Sequence, residues 1–559
     1  MTRNNLFQSA VFTMLFAALF AAALGRASAA SAPRSGSDPA RPNVVVIQTD
    51  DQSLMSLKST FRDYWDHRRR TMPKTLDLIA AKGIEFTNYY ASNPLCSPSR
   101  AALLSGQYAH TSHMKNNTGP EGGWSGWKNQ PIYNENLAVA LQRDGYRTAH
   151  VGKFTNNYFL GDDPDAVDTT VPPGWDHWYV PAYSDMLYYY GHRINDDGVP
   201  EGPFGIKGYD MQGVGTDPPQ CTAANLIDPV PGVVCNHSTD LFSRNAVETI
   251  EQSGAKPFYL QVDYNTPHGD YRSPNGAEPL SRHYDSALKT KMPRPAGFNE
   301  ADVSDKPAFV QALPRLTKGE QEQINIRWQK DLESLRGVDD GVGAIVEALR
   351  RTGKLSSTYI FFISDNGQFN GEHRMSSSKF LPYEPSAHLP LLVRGPGIKA
   401  GSKTGELAAN VDLAPTILAL TGARLPGGYD GRSLKPYWKN PKKRSSRAIV
   451  LEGYSGPSNE PQVDATASAT APIKSFSGLR AGRYKYVEYT TGERELYDLK
   501  TDPAELTNRI DAPAWRRLAT RLATELAARK SCRGAACRVG TGPLPAPPKT
   551  MSHKRRPNR

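Results

Sequence analysis

Asn43–Thr49 reads NVVVIQT, a run of apolar positions without the alternation of a half-exposed strand, which predicts a strand buried on both faces. It ends in the acids Asp50-Asp51. Thr358–Ser364, TYIFFIS, repeats the pattern and ends in Asp365-Asn366, while Phe258–Asp263, FYLQVD, predicts a strand closed by Thr266-Pro267-His268. Between these runs the period changes. Residues 136–143 place Leu137, Ala140 and Leu141 on one side of a helix, and Asp144-Gly145 then turns the chain into a short strand ending at Val151-Gly152-Lys153. From 321 to 351, Leu332, Leu335, Val338, Val342, Ile345, Val346 and Leu349 recur at helical spacing until Gly353 ends the helix.

Strands alternating with helices in this order predict an α/β protein, a large mostly parallel (mixed) sheet sandwiched by helices. Ligand-handling residues of such sheets gather past the carboxyl ends of strands. Asp50-Asp51, Lys153, His268 and Asp365-Asn366 each stand just past a predicted strand, so they are expected to share one edge of the sheet.

Two stretches, 162–235 and 269–314, are rich in Gly, Pro, Asp and Tyr and show no clear period; loops of this length are functional or disordered. Their Tyr183, Tyr188, Tyr189 and Tyr190 line a pocket for a ring or form a surface cluster. Past Gly431-Arg432-Ser433-Leu434 the pattern becomes that of short antiparallel strands at 448–452, 475–480, 484–489 and 495–499, with a helix over 513–528 carrying Leu518, Leu522 and Leu526 on one stripe. The expected organisation is a signal peptide over 1–29, a linker over 30–42, a catalytic domain over 43–435, a small C-terminal domain of antiparallel sheet plus helix over 436–540, and a basic, disordered tail over 541–559.

The first segment supports its part of this division, since Arg3, an apolar stretch over 10–24 and Ala27-Ser28-Ala29 have the anatomy of a secretory signal too short to span a bilayer comfortably. No later segment predicts stable membrane insertion, so the expected location is secreted or periplasmic. Export alters the reading of the five cysteines: Cys221 with Cys235 and Cys532 with Cys537 can form local disulfides, leaving Cys96 over. The formal charge of +11 lies partly in runs such as His67-Arg68-Arg69-Arg70, Lys442-Lys443-Arg444 and 553–559. Such runs are usually solvated surface, yet a basic surface draws in anionic substrates, sulfated polysaccharides among them. No motif for nucleic acid is present.

Asp50, Asp51, Asp365 and the amide of Asn366 would make an oxygen-only site, suited to Ca2+ or alternatively Mg2+ and poorly matched to zinc. Calcium is expected because it accepts irregular oxygen geometry. Beside these acids, Cys96 opens the run CSPSRAALLSG. That run resembles the signature of the type I sulfatases, C-x-P-S-R-x-x-x-L-T-G, at every fixed position except Ser105, which replaces threonine. Thr49-Asp50-Asp51-Gln52, Gly145-Tyr146 to Gly152-Lys153, Thr266-Pro267-His268, Ser364-Asp365-Asn366-Gly367 with Gly371-Glu372-His373, and Glu495-Leu496-Tyr497-Asp498-Leu499 also look like landmarks of that family, so the resemblance extends from Val44 to about Asn508.

The resemblance implies an alkaline-phosphatase-like fold and conversion of Cys96 by a formylglycine-generating enzyme to formylglycine, whose hydrate is the nucleophile and a metal ligand. It also implies that Asp50, Asp51, Asp365 and Asn366 bind calcium and that Arg100, Lys153, His268 and Lys379 handle the sulfate, His268 as acid for the departing alcohol. His373 is expected to support its loop. One position departs: many sulfatases place a histidine two residues after the lysine equivalent to Lys153, where this chain has Thr155. The Gly152-Lys153-Phe154-Thr155-Asn156-Asn157 segment and Asn116-Asn117-Thr118 instead resemble the N-acetylglucosamine-6-sulfatase and extracellular glucosamine-sulfatase branch. The expected activity is thus release of inorganic sulfate from a sulfated sugar or an aryl sulfate. Two alternatives stand beside it, a phosphonate monoester or phosphodiester hydrolase of the same superfamily and a non-catalytic polyanion-binding protein.

Overall fold

The computed structural model describes residues 41–548 apart from 64, 66, 159–167, 182–187, 205–216, 218, 232, 234, 271–272 and 456–473. The expected signal peptide, nearly all of the linker, Tyr183 and the tail from 549 onward lie outside the described residues.

In chain order the strands are β1 (Asn43–Thr49), β2 (Thr60–Arg62), β3 (Arg68–Arg70), β4 (Ile84–Tyr90), β5 (Arg147–Gly152), β6 (His177–Pro181), β7 (His192–Asp196), β8 (Val199–Phe204) and β9 (Phe258–Asp263). They continue as β10 (Thr358–Ser364), β11 (His388–Leu389), β12 (Leu391–Arg394), β13 (Ser402–Ala409), β14 (Ala448–Gly453), β15 (Phe476–Ala481), β16 (Tyr484–Tyr489) and β17 (Arg494–Asp498). Eleven form one sheet in the order β11-β4-β12-β10-β1-β9-β5-β6-β7-β8, with β13 on β4. Its centre is parallel: β1 lies between β10 and β9, and β9 pairs with β5. At the borders β12 and β7 run antiparallel to their neighbours, so the sheet is mixed, as expected.

Strand alternation divides the core. Val44 and Val46 face a cluster with Phe361, Leu137 and Trp178, whereas Val45 and Ile47 face one with Phe362, Leu335 and Val342. The seven apolar positions foreseen on the long helix are buried, and the helix itself runs Lys318–Arg351, starting three residues before its expected limit. Thr317 and Glu320 form a capping box there, which is the signal that sets the true start. Leu335 is fully buried between this helix and the sheet. Leu335→Ala is expected to cost about 2–5 kcal/mol, read from the midpoint of urea unfolding.

Two expectations need correction. The stretch 162–235 is not all loop, because β6, β7 and β8 extend the main sheet there; strands of five or six residues at a sheet border leave too short a period to detect. Tyr189 and Tyr190 line no pocket: both are buried against Ala277, with their rings on His237. The second sheet, β14-β15-β16-β17, is antiparallel and packs on helix Arg516–Ala527 through Leu518, Leu522 and Leu526. The expected tail begins with packed chain, since Thr541 donates its N–H to Ser446 and Pro545 accepts from the Tyr484 hydroxyl. Cys221–Cys235 and Cys532–Cys537 are disulfides, and Cys96 is free and buried. No helix among the described residues is long and apolar enough to cross a membrane.

Candidate active site

Parallel register brings the strand ends together: Thr49 lies opposite Ser364, Gln48 opposite Asp263 and Gly152 opposite Asp263. Asp50, Asp365, Asp263 and Lys153 therefore leave the sheet at one edge. Gly152 makes this possible at φ +98°, for a Cβ there would lie 2.0 Å from the Asp263 carbonyl oxygen. Asp51 also adopts a left-handed φ, 62°, a costly conformation for a side-chain-bearing residue that turns the second acid into the same space.

Facing this edge is the helix Cys96–Ser105, all ten residues of which are buried. Cys96 is its first residue and Pro98 lies in the first turn, where a missing N–H costs nothing. The free N–H of Ser97 donates to Asn117 Oδ1 at 3.0 Å, and the Ser97 hydroxyl donates to Asn156 Oδ1 at 2.9 Å. These contacts hold Cys96 at the positive end of the helix. Its Sγ lies 3.2 Å from Lys379 Nζ and 3.7 Å from Asp50 Oδ1.

Arg100, one turn on, lies among three carboxylates. Nε and Nη2 donate to Asp365 Oδ2 at 3.1 and 2.8 Å, Nη1 to Asp263 Oδ2 at 3.1 Å and the Lys153 carbonyl at 2.7 Å, and Nη2 also to Asp50 Oδ2 at 3.3 Å. A guanidinium has five N–H groups, and these contacts engage all of them. Arg100 thus holds the carboxylates of Asp50, Asp263 and Asp365 around one cation. Asp263 was missed as an anchor, although it closes a predicted strand just as Asp50 and Asp365 follow theirs. Gln261 Nε2 donates to the same Asp263 oxygen at 2.8 Å.

The remaining foreseen residues also converge. Lys153 Nζ pairs with Asp50 Oδ2, Lys379 Nζ lies 2.7 Å from Asp51 Oδ1, and His268 Nε2 lies 3.6 Å from Asp51 Oδ2. Asn366 Nδ2 donates to Asp51 Oδ1 at 2.5 Å, and Asp365 Oδ1 accepts from the Asn366 N–H at 2.7 Å. His268 Nδ1 lies 2.8 Å from the Gly269 carbonyl oxygen; donation there turns Nε2 toward the acids. The Tyr189 hydroxyl donates to the His268 carbonyl at 2.8 Å and so braces that loop. His373 is buried and bonded to Glu300 at 2.6 Å, outside the cluster. Thr155 is fully buried with no partner for its hydroxyl, so this position brings no base to the site.

The charges bias one another. Burial raises the Asp50 carboxyl, but Lys153, His268, Arg100 and Lys379 override it and hold it well below the usual carboxylate range. Asp365 goes the other way, pushed up to about 6 by burial and by Asp50. Burial, with Asp50, pushes the Cys96 thiol up to about 11, so at neutral pH it is protonated and a weak nucleophile. Burial lowers His268 below the ordinary imidazole range despite Asp51. Lys379 is raised well above its usual value, the pull of Asp51 outweighing burial.

The donor set suits a hard cation. Carboxylate oxygens of Asp50 and Asp51 lie within 4.8 Å of one another and of His268, and Asn366 Oδ1 is buried without a partner. An orphaned amide oxygen beside three carboxylates matches the oxygen coordination of a hard cation better than the nitrogen and sulfur set of zinc, for which only His268 and Cys96 stand near. Cations and a cation-binding nest around one nucleophile position neutralise a tetrahedral oxyanion from several sides, the requirement for hydrolysing sulfate or phosphate esters. Together with its place at the strand ends of the sheet, this arrangement suits the hydrolysis of a sulfate or phosphate ester.

Comparison with known proteins narrows the class. The family model described as Sulfatase matches residues 42–423, and that described as N-sulphoglucosamine sulphohydrolase, C-terminal, matches 371–531. The chain belongs to the sulfatase family and is a sulfuric ester hydrolase. It is 31% identical over 537 residues to an arylsulfatase of Volvox carteri, covering 89% of this chain and 76% of that protein. It is equally 31% identical to the human N-acetylglucosamine-6-sulfatase over 526 residues, 89% of this chain and 86% of the relative. A solved structure in complex with its substrate D-glucosamine-2-N,6-O-disulfate superposes with a TM-score of 0.65 at 23% identity, covering 87% of this chain and 97% of the other. The phosphonate monoester hydrolase of Agrobacterium radiobacter superposes at 0.62 with 21% identity, covering 87% and 95%, so fold alone does not separate the two chemistries.

Proposed function

We propose that the chain removes a sulfate ester from a sulfated amino sugar, N-acetylglucosamine 6-sulfate being the model substrate, and accepts small aryl sulfates in the same pocket. The observation that carries this reading is the convergence of Cys96, Lys379, Lys153 and His268 over Asp50 and Asp51. The amino-sugar preference draws support from the relatives named N-acetylglucosamine-6-sulfatase, which align over most of both chains.

Cys96 is assigned as formylglycine, installed by a formylglycine-generating enzyme, because a hydrated aldehyde offers one hydroxyl to form the sulfate ester and a second to expel sulfate. In the structure the thiol sulfur occupies the place of those oxygens. A Ca2+ ion held by Asp50, Asp51, Asp365 and Asn366 would supply Lewis-acid charge at the sulfuryl group. Lys153 and Lys379 retain free N–H donors for the sulfuryl oxygens, and Arg100 keeps the carboxylates in register. His268 protonates the leaving alcohol oxygen. Thr155 is no proton acceptor at neutral pH, so sulfate release does not run through that position. The disulfides fit an oxidising compartment, in line with export after signal-peptide cleavage.

The deciding experiment compares kcat/KM for N-acetylglucosamine 6-sulfate, 4-nitrophenyl sulfate and a matched aryl phosphodiester. Sulfate monoesters are expected to be preferred; a higher value for the diester would overturn the assignment in favour of the phosphodiesterase alternative. His268→Ala should lower kcat about 10²–10⁴-fold on the sugar sulfate. The loss should be far smaller on 4-nitrophenyl sulfate, whose leaving group needs little protonation.

A further inference from the structure

The arginine run at 68–70 is more than solvated surface. It forms β3, which pairs with β2 in a hairpin outside the main sheet. The hairpin lines a cavity of about 640 Å³ together with the middle of the Lys318–Arg351 helix, and none of its lining residues belongs to the catalytic cluster.

Its cations outnumber its available carboxylates. Asp63 accepts from Arg69 at 3.0 Å, and Asp340 is shared by Lys74 at 2.7 Å, Arg282 at 3.0 Å and His283 at 2.7 Å. Asp339 is occupied by the backbone N–H groups of Lys74 and Thr75 and the Thr75 hydroxyl. Arg70 is bound by both oxygens of Asp77. Two guanidiniums are left over. Arg68 donates to the Thr60 hydroxyl at 2.8 Å and has no carboxylate partner among the described residues. Arg336 lies 5.1 Å over the Phe61 ring, and among the described residues it has no ion pair or hydrogen bond. Burial pulls the Arg336 guanidinium below its ordinary range, and the nearby charges of Asp340, Glu333 and Asp339, opposed by Arg69, do not restore it. An anion in the cavity would add countercharge in direct contact with both guanidiniums, and an arginine fork can pair with two oxygens of a sulfate.

We infer that this cavity is a second anion site, an exosite that binds a sulfate-bearing stretch of a sulfated glycan chain while another sugar of the same chain occupies the catalytic pocket. A glycan fits better than a lone anion because Trp65, in the turn of the same hairpin, is 75% exposed and sets an aromatic side chain beside the cations at the surface. Both sites adjoin the Lys318–Arg351 helix, the cavity through Arg336 and the catalytic edge through Asp331, whose carboxyl is affected by the charge of Asp51. The identity of the chain as substrate rests on the function proposed above; its binding does not.

The test uses the full-length protein, its Arg68→Ala/Arg336→Ala variant and a heparin hexasaccharide as probe. Calorimetry should show hexasaccharide binding weakened about tenfold or more in the variant, with KM for sulfate release from the hexasaccharide raised alongside. The kcat/KM on 4-nitrophenyl sulfate should not change. Undiminished hexasaccharide binding would overturn the exosite, as would an equal loss on the hexasaccharide and the aryl sulfate. Arg68→Ala alone, on an exposed strand, carries the binding test if the double variant does not fold. Should the wild-type protein release no sulfate from any ester, the functional proposal fails while the binding comparison still decides the exosite.

Discussion

Cys96→Ala is expected to reduce turnover of every sulfate ester to background, a loss of about 10⁴-fold or more in kcat given what removal of a covalent nucleophile costs in other hydrolases. Thermal stability should change little, because the substitution removes one sulfur whose hydrogen-bond contacts are those with Lys379 at 3.2 Å and Asp50 at 3.7 Å. Cys96→Ser separates the two halves of the reaction. An unconverted serine can accept sulfate but has no second hydroxyl on the same carbon to expel it, so at most one equivalent of alcohol per enzyme should be released. Sustained turnover by Cys96→Ala would remove Cys96 from the chemistry. Mass spectrometry of the peptide carrying Pro98 and Arg100 gives the companion result: after maturation it should be lighter than the thiol peptide and reactive toward a hydrazide. Finding only the thiol in protein from its native source would sink the formylglycine assignment.

Metal removal has the second largest expected effect. Chelation should lower kcat/KM by about 10³-fold, or roughly 4 kcal/mol of transition-state stabilisation, with Ca2+ restoring it. Affinity should show the same dependence without any turnover. Asn366 Oδ1 is buried and unpartnered, so Asn366→Ala removes a ready ligand and should weaken Ca2+ binding by calorimetry about 10–100-fold or more, the range already seen for residues that merely orient ligands. The melting temperature of the wild-type protein should rise with added Ca2+, since a ligand that binds only the folded state stabilises it, and that rise should be smaller in the variant. A melting temperature indifferent to Ca2+ and Mg2+ would show that the cations Arg100, Lys153 and Lys379 alone balance the acids.

Where the pattern along the chain was strong, the elements followed from it. β1, β9 and β10 carry continuous apolar runs because both faces of the central sheet are covered, and their limits match those expected. The long helix was visible from its spacing, and its start lay in the Thr317 to Glu320 capping box. The border strands β6 to β8 escaped notice because they are short, irregular in register and interrupted by Gly and Pro. Tyr189 and Tyr190 were open to two readings, and packing decided against both by placing them in a buried cluster under the His268 loop.

For the site, residue types and strand-end positions were legible, because a strand's end and a fixed motif are local properties of the chain. Local pattern was enough for the sulfatase family, the α/β order of elements, the unpaired status of Cys96 and the acids that gather at one edge. Which charge meets which emerged in three dimensions. Parallel register set Asp263 beside Arg100 and directed every guanidinium N–H at a carboxylate or carbonyl oxygen. It also left Arg68 and Arg336 without a carboxylate partner among the described residues, in a cavity that a run of arginines cannot reveal. Those pairings of Arg100 join residues 50 to 265 positions apart, and electrostatic energy depends on separation in space and on burial, neither of which is written in the order of the chain.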